Sequence, residues 1–387
     1  MKKKLVVFFE SVKPFSNASS VRADYFLRAL VTSKEFSSVI VVTGTQNPSP
    51  LDGVTFYSLK SEKNPTKGSF IKRAISELSL GIKAILKFRK FNQSEYIFFV
   101  SSPSYLGSIL IALFLKITQR NYVYEVRDLY PEAYNYADLL SCSNPGYKIL
   151  KTLTNSIYDG ASLIVSATAG LSNSISCFTD KKVITIYNGY PSYLRSKPAE
   201  KFEKFTVVFH GTLGIFQNIE MICKVAEKFK KNQLIEFLVI GQGRKADLIM
   251  DYVSSHQNMT YMKSMDHDDV LDIVSKCHLG ISLRLDDPLT KISFPVKNWE
   301  YLGLSIPSII SPSDSEAANF LSDKNCGISV DNDDVEKAVN IIKQLQVDSH
   351  LYQNMVNCCN AVNQEYTREM LSKRLVEELI SVAEKAH

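Results

Sequence analysis

Residues 294–310 read Phe294-Pro295-Val296-Lys297-Asn298-Trp299-Glu300-Tyr301-Leu302-Gly303-Leu304-Ser305-Ile306-Pro307-Ser308-Ile309-Ile310. Pro295 suits the first turn of a helix, Gly303 suits its end, and Ser308-Ile309-Ile310 reads as a buried strand. A helix leading straight into a buried strand is the repeating unit of an α/β sheet. Lys297 and Glu300 are three residues apart, so they share one helix face near the N-terminus. A cation, free backbone N–H groups and the positive helix end together suit a phosphate. A carboxylate one turn on can accept two ribose hydroxyls, so the stretch reads as half of a nucleotide site.

The same alternation extends in both directions. Upstream, Val39–Val42, Tyr96–Val100, Tyr122–Val126, Leu163–Val165 and Val183–Ile186 are strand candidates, with helical patterns such as Ser20–Leu30 and Phe70–Phe88 among them. After a polar, aperiodic pause at 190–200, strands are expected at Phe205–Phe209, Ile235–Ile240, Leu279–Leu283, Ser308–Ser311 and Gly327–Val330. The remainder after Asp334 is mostly helical. The pattern predicts two doubly wound, Rossmann-like domains, 1–192 and 200–364, facing a central cleft, with a last helix near 365–387 that can pack back onto the first. Ligands in such sheets bind beyond the C-terminal strand ends.

The chain has 387 residues, 45% hydrophobic and 22% charged, with a net charge of +5. That charge is too mild for a nucleic-acid surface. Seven cysteines form no C-x-x-C pair and predict reduced thiols in a cytoplasmic protein. The apolar run Leu5–Phe9 ends at Glu10, short of the about 7–15 residues of a secretory segment, and reads as a first buried strand. Tyr105–Ile117 falls short of the roughly 20 residues that span a bilayer and reads as a core helix.

Glycine-bearing loops follow two strands. Phe209-His210-Gly211-Thr212-Leu213-Gly214, before a helix from Asn218, has the geometry that holds a phosphate on backbone N–H groups, although a turn needing glycine would look the same. Gly241-Gln242-Gly243-Arg244-Lys245-Ala246 matches the dinucleotide fingerprint, with Asp266 at the expected distance. That fingerprint belongs on the first strand of its domain, whereas a complete strand-loop-helix unit precedes this one, so a turn lining a nucleotide pocket is the better reading. Arg127-Asp128-Leu129-Tyr130-Pro131-Glu132 places charges at a strand end. Lys67–Lys90 holds seven basic residues and one acid, Glu77, among apolar residues at helical spacing; an anionic membrane surface and an ordinary core helix with a basic face suit it equally. Asp331–Asp334 reads as helix-capping acids, and no cluster has metal-ligand spacing.

In this order the motifs resemble glycosyltransferase family 4, with its GT-B fold. Arg127–Glu132 resembles the R-D-L-W-P-E signature of a bacterial branch that contains the fucosaminyltransferases of O-antigen and capsule pathways. Ile186–Gly189 resembles I-x-N-G, Gly211–Gln217 resembles G-N-L-G-x-x-Q, and Pro295–Gly303 resembles P-S-K-x-x-E-Y with its later glycine. The resemblance implies retaining, metal-independent transfer of a hexosyl or N-acetylamino-sugar unit from a nucleoside diphosphate sugar, a UDP-sugar favoured, with no further cofactor. Glu300, Gly211, Gly214, Gly241, Gly243, Arg284, Pro295 and Val296 would bind the donor. Asp128, Arg127 and Lys297 would be catalytic. Asn17, Ser19, Arg22 and Glu132 would contact a glycan or undecaprenyl-linked acceptor. The enzyme would be cytoplasmic or peripheral on the inner face of the plasma membrane through the basic helix 67–90. Two departures stand out: the first loop, Lys13–Ser20, has no glycine, and Ile292 occupies the place of the family's first E-x7-E glutamate. A nucleotide-sugar epimerase and a non-catalytic nucleotide-sugar-binding paralogue are the alternatives.

Overall fold

The structure, a computed structural model, describes residues 3–385 except 16, 60–69, 93, 103, 197–198 and 363. It divides into two compact units, Met1–Asn188 with Arg368–His387, and Gly189–Thr367. The first unit holds β1 (Lys4–Phe9), β2 (Ser38–Thr43), β3 (Val54–Ser58), β4 (Tyr96–Ser101), β5 (Tyr122–Val126), β6 (Leu163–Ser166) and β7 (Val183–Thr185). They form one sheet in the order β3-β2-β1-β4-β5-β6-β7. The second unit holds β8 (Phe205–His210), β9 (Ile235–Ile240), β10 (Met259–Met262), β11 (Leu279–Ser282), β12 (Ser308–Ile310) and β13 (Gly327–Ser329), ordered β10-β9-β8-β11-β12-β13. Every strand pairing within the two sheets is parallel. Both orders reverse direction beside the first strand, and that switch point opens a crevice at the strand ends.

Strand composition follows from burial on both faces. Leu5, Val7 and Phe9 of β1 enter one core with the helix Ala18–Ser33 and the final helix Arg368–Lys385. Val6 and Phe8 enter the opposite core with Leu80, Ile109, Leu115 and Ile157. A strand covered on both sides needs apolar residues at every position, so its sequence shows a run rather than an alternation. The edge strands lack that signal. β3 and β10 are half exposed, carry mixed residues (Val-Thr-Phe-Tyr-Ser and Met-Thr-Tyr-Met), and were not among the expected strands.

The contact division falls at Asn188/Gly189 and Thr367/Arg368, against expected limits of 192 and 200. Residues that look like polar linker pack in the second unit instead. Tyr190 is fully buried, its ring lies where a Cβ on Gly303 would meet it at 2.8 Å, and it bridges to Thr367. Lys67, part of the expected basic helix, lies outside the described residues; the helix itself runs Phe70–Phe88.

Candidate functional site

In the second unit the loops after β8 and β9 interlock. Gly211 N donates to Ile240 O (2.9 Å), Leu213 N to Gln242 O (3.0 Å), and Lys245 N to Leu213 O (3.0 Å). A Cβ at Gly241 would stand 1.9 Å from Gly211 O, and one at Gly243, where φ is +155°, 2.4 Å from Leu213 O. Those two glycines are therefore required by the neighbouring loop's backbone. Gly211 differs. Its φ is +110°, and a Cβ there would first meet the Lys297 side chain, Cε at 3.7 Å and Nζ at 3.9 Å. A Cβ at Gly214 would meet only Thr212 at 3.6 Å. The dinucleotide reading loses its acid as well, because Asp266 caps the helix His267–Ser275 by accepting from Asp268 N (3.1 Å).

The helix Val296–Gly303 begins one residue after Pro295, which sits just outside it at φ −59°, ψ 138°. Lys297 through Gly303 are all buried. Lys297 is only 8% exposed; its Nζ lies 3.5 Å from the Phe209 ring centroid and donates to Gln217 Oε1 (3.3 Å). Burial holds its ammonium well below the ordinary lysine range, Arg284 adds repulsion, and Glu300 offsets part of this. Glu300 is buried one turn on. His267 Nε2 lies 3.0 Å from its Oε1 and His210 Nε2 lies 3.7 Å from its Oε2. Burial pushes His210 down to about 4 against the attraction of Glu300, so its ring is neutral at neutral pH. Arg284, just past β11, donates from its backbone to Ser311 Oγ (2.9 Å), and its guanidinium bonds Ser293 Oγ. Ile292 ends the short helix Pro288–Lys291.

Buried polar atoms without a hydrogen-bond partner concentrate in this sector. They include His210 Nε2, Ser282 Oγ, Thr290 Oγ1 and both amide atoms of Asn298, which is fully buried. Native proteins pair nearly all such groups, so a cluster of exceptions marks a place where something else supplies the partners. Two cations, a glycine turn open toward one of them, and a carboxylate at the ribose spacing together suit a diphosphate and its sugar.

The first unit has its own cluster at the end of β5. Glu125 is 2% exposed and accepts from Arg22 Nε (2.8 Å) and Ser101 Oγ (2.5 Å), while Arg22 Nη1 donates to Tyr187 O (2.9 Å). Burial alone would raise the Glu125 carboxyl; Arg22, Arg127 and these hydrogen bonds bring it below its ordinary value. Burial lowers Arg127, with Glu125 pulling it back more strongly than Asp128 does. Asp128 is exposed. The acceptor candidates divide. Arg22 belongs to the Glu125 cluster, and Ser19 lies in the first turn of the helix Ala18–Ser33. Asn17 caps that helix by accepting from Ser20 N (2.8 Å), and Glu132 pairs with Lys151. Sequence reasoning passed over Glu125, His210, His267 and Asn298 as site residues. Only Glu125 carried a signal, a lone acid inside the apolar strand Tyr-Val-Tyr-Glu-Val. Among the described residues no group of three His, Cys, Asp or Glu could hold a metal ion.

Residues 193–358 match the family model of glycosyl transferases, group 1. The match spans the second unit, including every residue of the Lys297–Glu300 cluster. Three solved structures are similar over almost their whole length. WaaG, described as a glycosyltransferase involved in lipopolysaccharide biosynthesis, is 10% identical with a TM-score of 0.68, covering 97% of this chain and 99% of its own. HepE from Anabaena, solved in complex with UDP, is 13% identical with a TM-score of 0.68, covering 98% and 100%. A putative UDP-N-acetylglucosamine 2-epimerase from Listeria monocytogenes is 12% identical with a TM-score of 0.62, covering 100% and 98%. The two parallel sheets and these likenesses establish the GT-B fold, α/β with two Rossmann-like units. No curated protein sequence matches the chain closely enough to count as a relative.

Proposed function

We propose that the protein is a glycosyltransferase that moves a hexosyl or N-acetylamino-sugar unit from a nucleoside diphosphate sugar, a UDP-sugar first, to a glycan or lipid-linked acceptor. The observation that carries this reading is the buried Lys297, one turn from Glu300 and against the open turn at Gly211. Glu300 would accept the ribose hydroxyls. Lys297, Arg284 and the backbone at Gly211, Gly214, Pro295 and Val296 would meet the diphosphate, with Gly241 and Gly243 shaping the wall behind. As the bond from anomeric carbon to phosphate oxygen breaks, negative charge gathers on the leaving diphosphate. Fixed cations in a buried site then favour the transition state over the ground state. The protein cations would fill the role a metal has elsewhere, with retention at the anomeric carbon. Asp128, beside Arg127, would orient the acceptor hydroxyl or take its proton. Arg22, Ser19, Asn17 and Glu132 stand as acceptor-side candidates, of which Arg22 alone lies at a strand-end charge cluster. A place in bacterial surface-polysaccharide assembly, O-antigen or capsule, on the cytoplasmic face of the membrane completes the proposal. The UDP held by HepE supports the donor class.

The test is turnover of a panel of UDP-, GDP- and ADP-sugars, with and without EDTA. Lys297→Ala and Glu300→Ala should each lower both donor hydrolysis and transfer by about 10²–10³. If both variants retain full turnover, the site assignment fails; a strict requirement for a divalent cation defeats the metal-independent mechanism. The Listeria neighbour favours one second reading, epimerisation, which would convert the donor sugar with no acceptor present and shows directly in product analysis.

A further inference from the structure

The Glu300 carboxylate has to be aimed as well as placed. The last torsion of a glutamate is broad and roughly two-fold, so burying the side chain does not fix the plane of its two oxygens. A ribose offers two neighbouring hydroxyls, and only a carboxylate held in one plane accepts both. The groups around the carboxylate set that plane. His210 Nε2 stands 3.7 Å from Oε2 and His267 Nε2 stands 3.0 Å from Oε1, so an imidazole flanks each oxygen.

The two histidines are held in different ways. His210 ends β8, is 3% exposed, and meets the Tyr301 ring edge-on with centroids 5.0 Å apart. Tyr301 is itself fixed, because its hydroxyl donates to Val208 O (2.9 Å). His210 is therefore a rigid wall of the core. His267 is the first residue of the helix His267–Ser275, and its side chain is 45% exposed. At that exposure the fold gains little from the ring. Its main chain, however, is braced on both sides. Asp266 accepts from Asp268 N (3.1 Å), and Tyr193 donates to Asp268 Oδ1 (3.0 Å). A fixed backbone thus presents a solvent-facing imidazole to a carboxylate that is only 2% exposed. A ring nitrogen so close to a carboxylate oxygen carries its proton, since two acceptors would repel each other. The contact then steadies Oε1 whether the ring is neutral or charged.

We propose that His267 is a positioning residue: it sets the plane of the Glu300 carboxylate, so that the site selects ribonucleoside over 2′-deoxyribonucleoside diphosphates. This rests on the reading of the Lys297–Glu300 cluster as a nucleotide-sugar site. The test is titration of the full chain with UDP, GDP and ADP, each beside its 2′-deoxy form, for wild type, His267→Ala, His267→Gln and Lys297→Ala. Wild type should prefer the ribose form of the nucleotide it binds by at least about tenfold, the loss of one contact to a charged acceptor. His267→Ala should bring the two forms within about twofold of each other, chiefly by weakening the ribose form. His267→Gln, which keeps an N–H on a side chain of similar reach, should restore part of the preference. Lys297→Ala should weaken both forms alike and leave their ratio intact, because it acts on the diphosphate. Matching melting temperatures confirm that the variants fold. A His267→Ala protein that keeps the full preference overturns the proposal. So does one that loses both forms equally, which is what a merely structural role would give, and so does a wild type with no preference. If Lys297→Ala weakens binding in any of these cases, the nucleotide site stands and only the role of His267 falls. Wild type that binds none of the nucleotides defeats both.

Discussion

Each unit gathers buried charge at the C-terminal ends of its strands, yet the two clusters are finished differently. In the first, Arg22 and Ser101 bond the two oxygens of Glu125 and Arg127 adds its charge, although Arg22 keeps one buried nitrogen, Nη2, without a hydrogen-bond partner. In the second, Lys297 is buried beside another cation, it donates to the neutral Gln217, and the side-chain polar atoms of Asn298 and Ser282 have no hydrogen-bond partner. A satisfied network holds a scaffold in shape, whereas an electrostatically uncomfortable one is comfortable only with a ligand present. The difference separates a carboxylate whose charge is answered within its own unit from a cation whose charge is not, although both occupy the same place in related sheets.

The comparison breaks most easily at Glu125. Removing one partner of a buried charge pair leaves the others uncompensated, so Glu125→Ala should cost about 3–5 kcal/mol of stability. A urea unfolding curve checks it, and a loss under about 1 kcal/mol would erase the contrast. Lys297→Ala should do the reverse. Turnover should fall by about 10²–10³, the usual loss for one electrostatic contact to a developing anion, while the melting temperature holds or rises because a desolvated ammonium is gone. Parallel kinetics and calorimetry show whether activity and stability separate.

The pH response sharpens the second cluster. His210 titrates in the fold at about 4, below the ordinary 6.5. Below pH 6.5 the unfolded chain takes up a proton that the folded chain refuses until about 4. The stability from a neutral His210 is therefore complete above 6.5 and lost as pH falls toward 4, at most about 3 kcal/mol. His278 is depressed to the same value and acts in the same window. His210→Asn should therefore flatten, not abolish, the fall in melting temperature between pH 6.5 and 4. The smallest effect belongs to Asn17. As a helix cap, Asn17→Ala should cost about 1 kcal/mol and leave donor affinity unchanged; weaker donor binding would give this residue a role beyond capping.

How far the sequence could be read followed from burial. Central strands such as Val39–Val42 and Phe205–Phe209 were legible because both faces are covered, and β3 and β10 were not because their edges are half wet. Lys297 and Glu300 were legible because helical spacing alone puts them on one face. His210 and His267 were not, because what joins them to Glu300 is the packing of a strand end and the start of another helix against a helix some 30 to 90 residues away in the chain. Gly241 and Gly243 show the converse. Their spacing suggests nucleotide chemistry, but contact with the backbone at Gly211 and Leu213 accounts for both. The basic helix 67–90 suits a core-facing and a surface-docking reading equally as sequence, since spacing shows that a face exists and not which way it turns.

The central claim is that the Lys297–Glu300 cluster holds a nucleoside diphosphate. Isothermal titration of UDP, GDP and ADP into wild type, Lys297→Ala and Glu300→Ala, with EDTA present, tests it most directly. The account predicts that wild type binds at least one of them and that each variant binds it at least about tenfold more weakly, the loss of one charge-assisted contact. Equal affinity in all three proteins, or no binding by wild type, would contradict it.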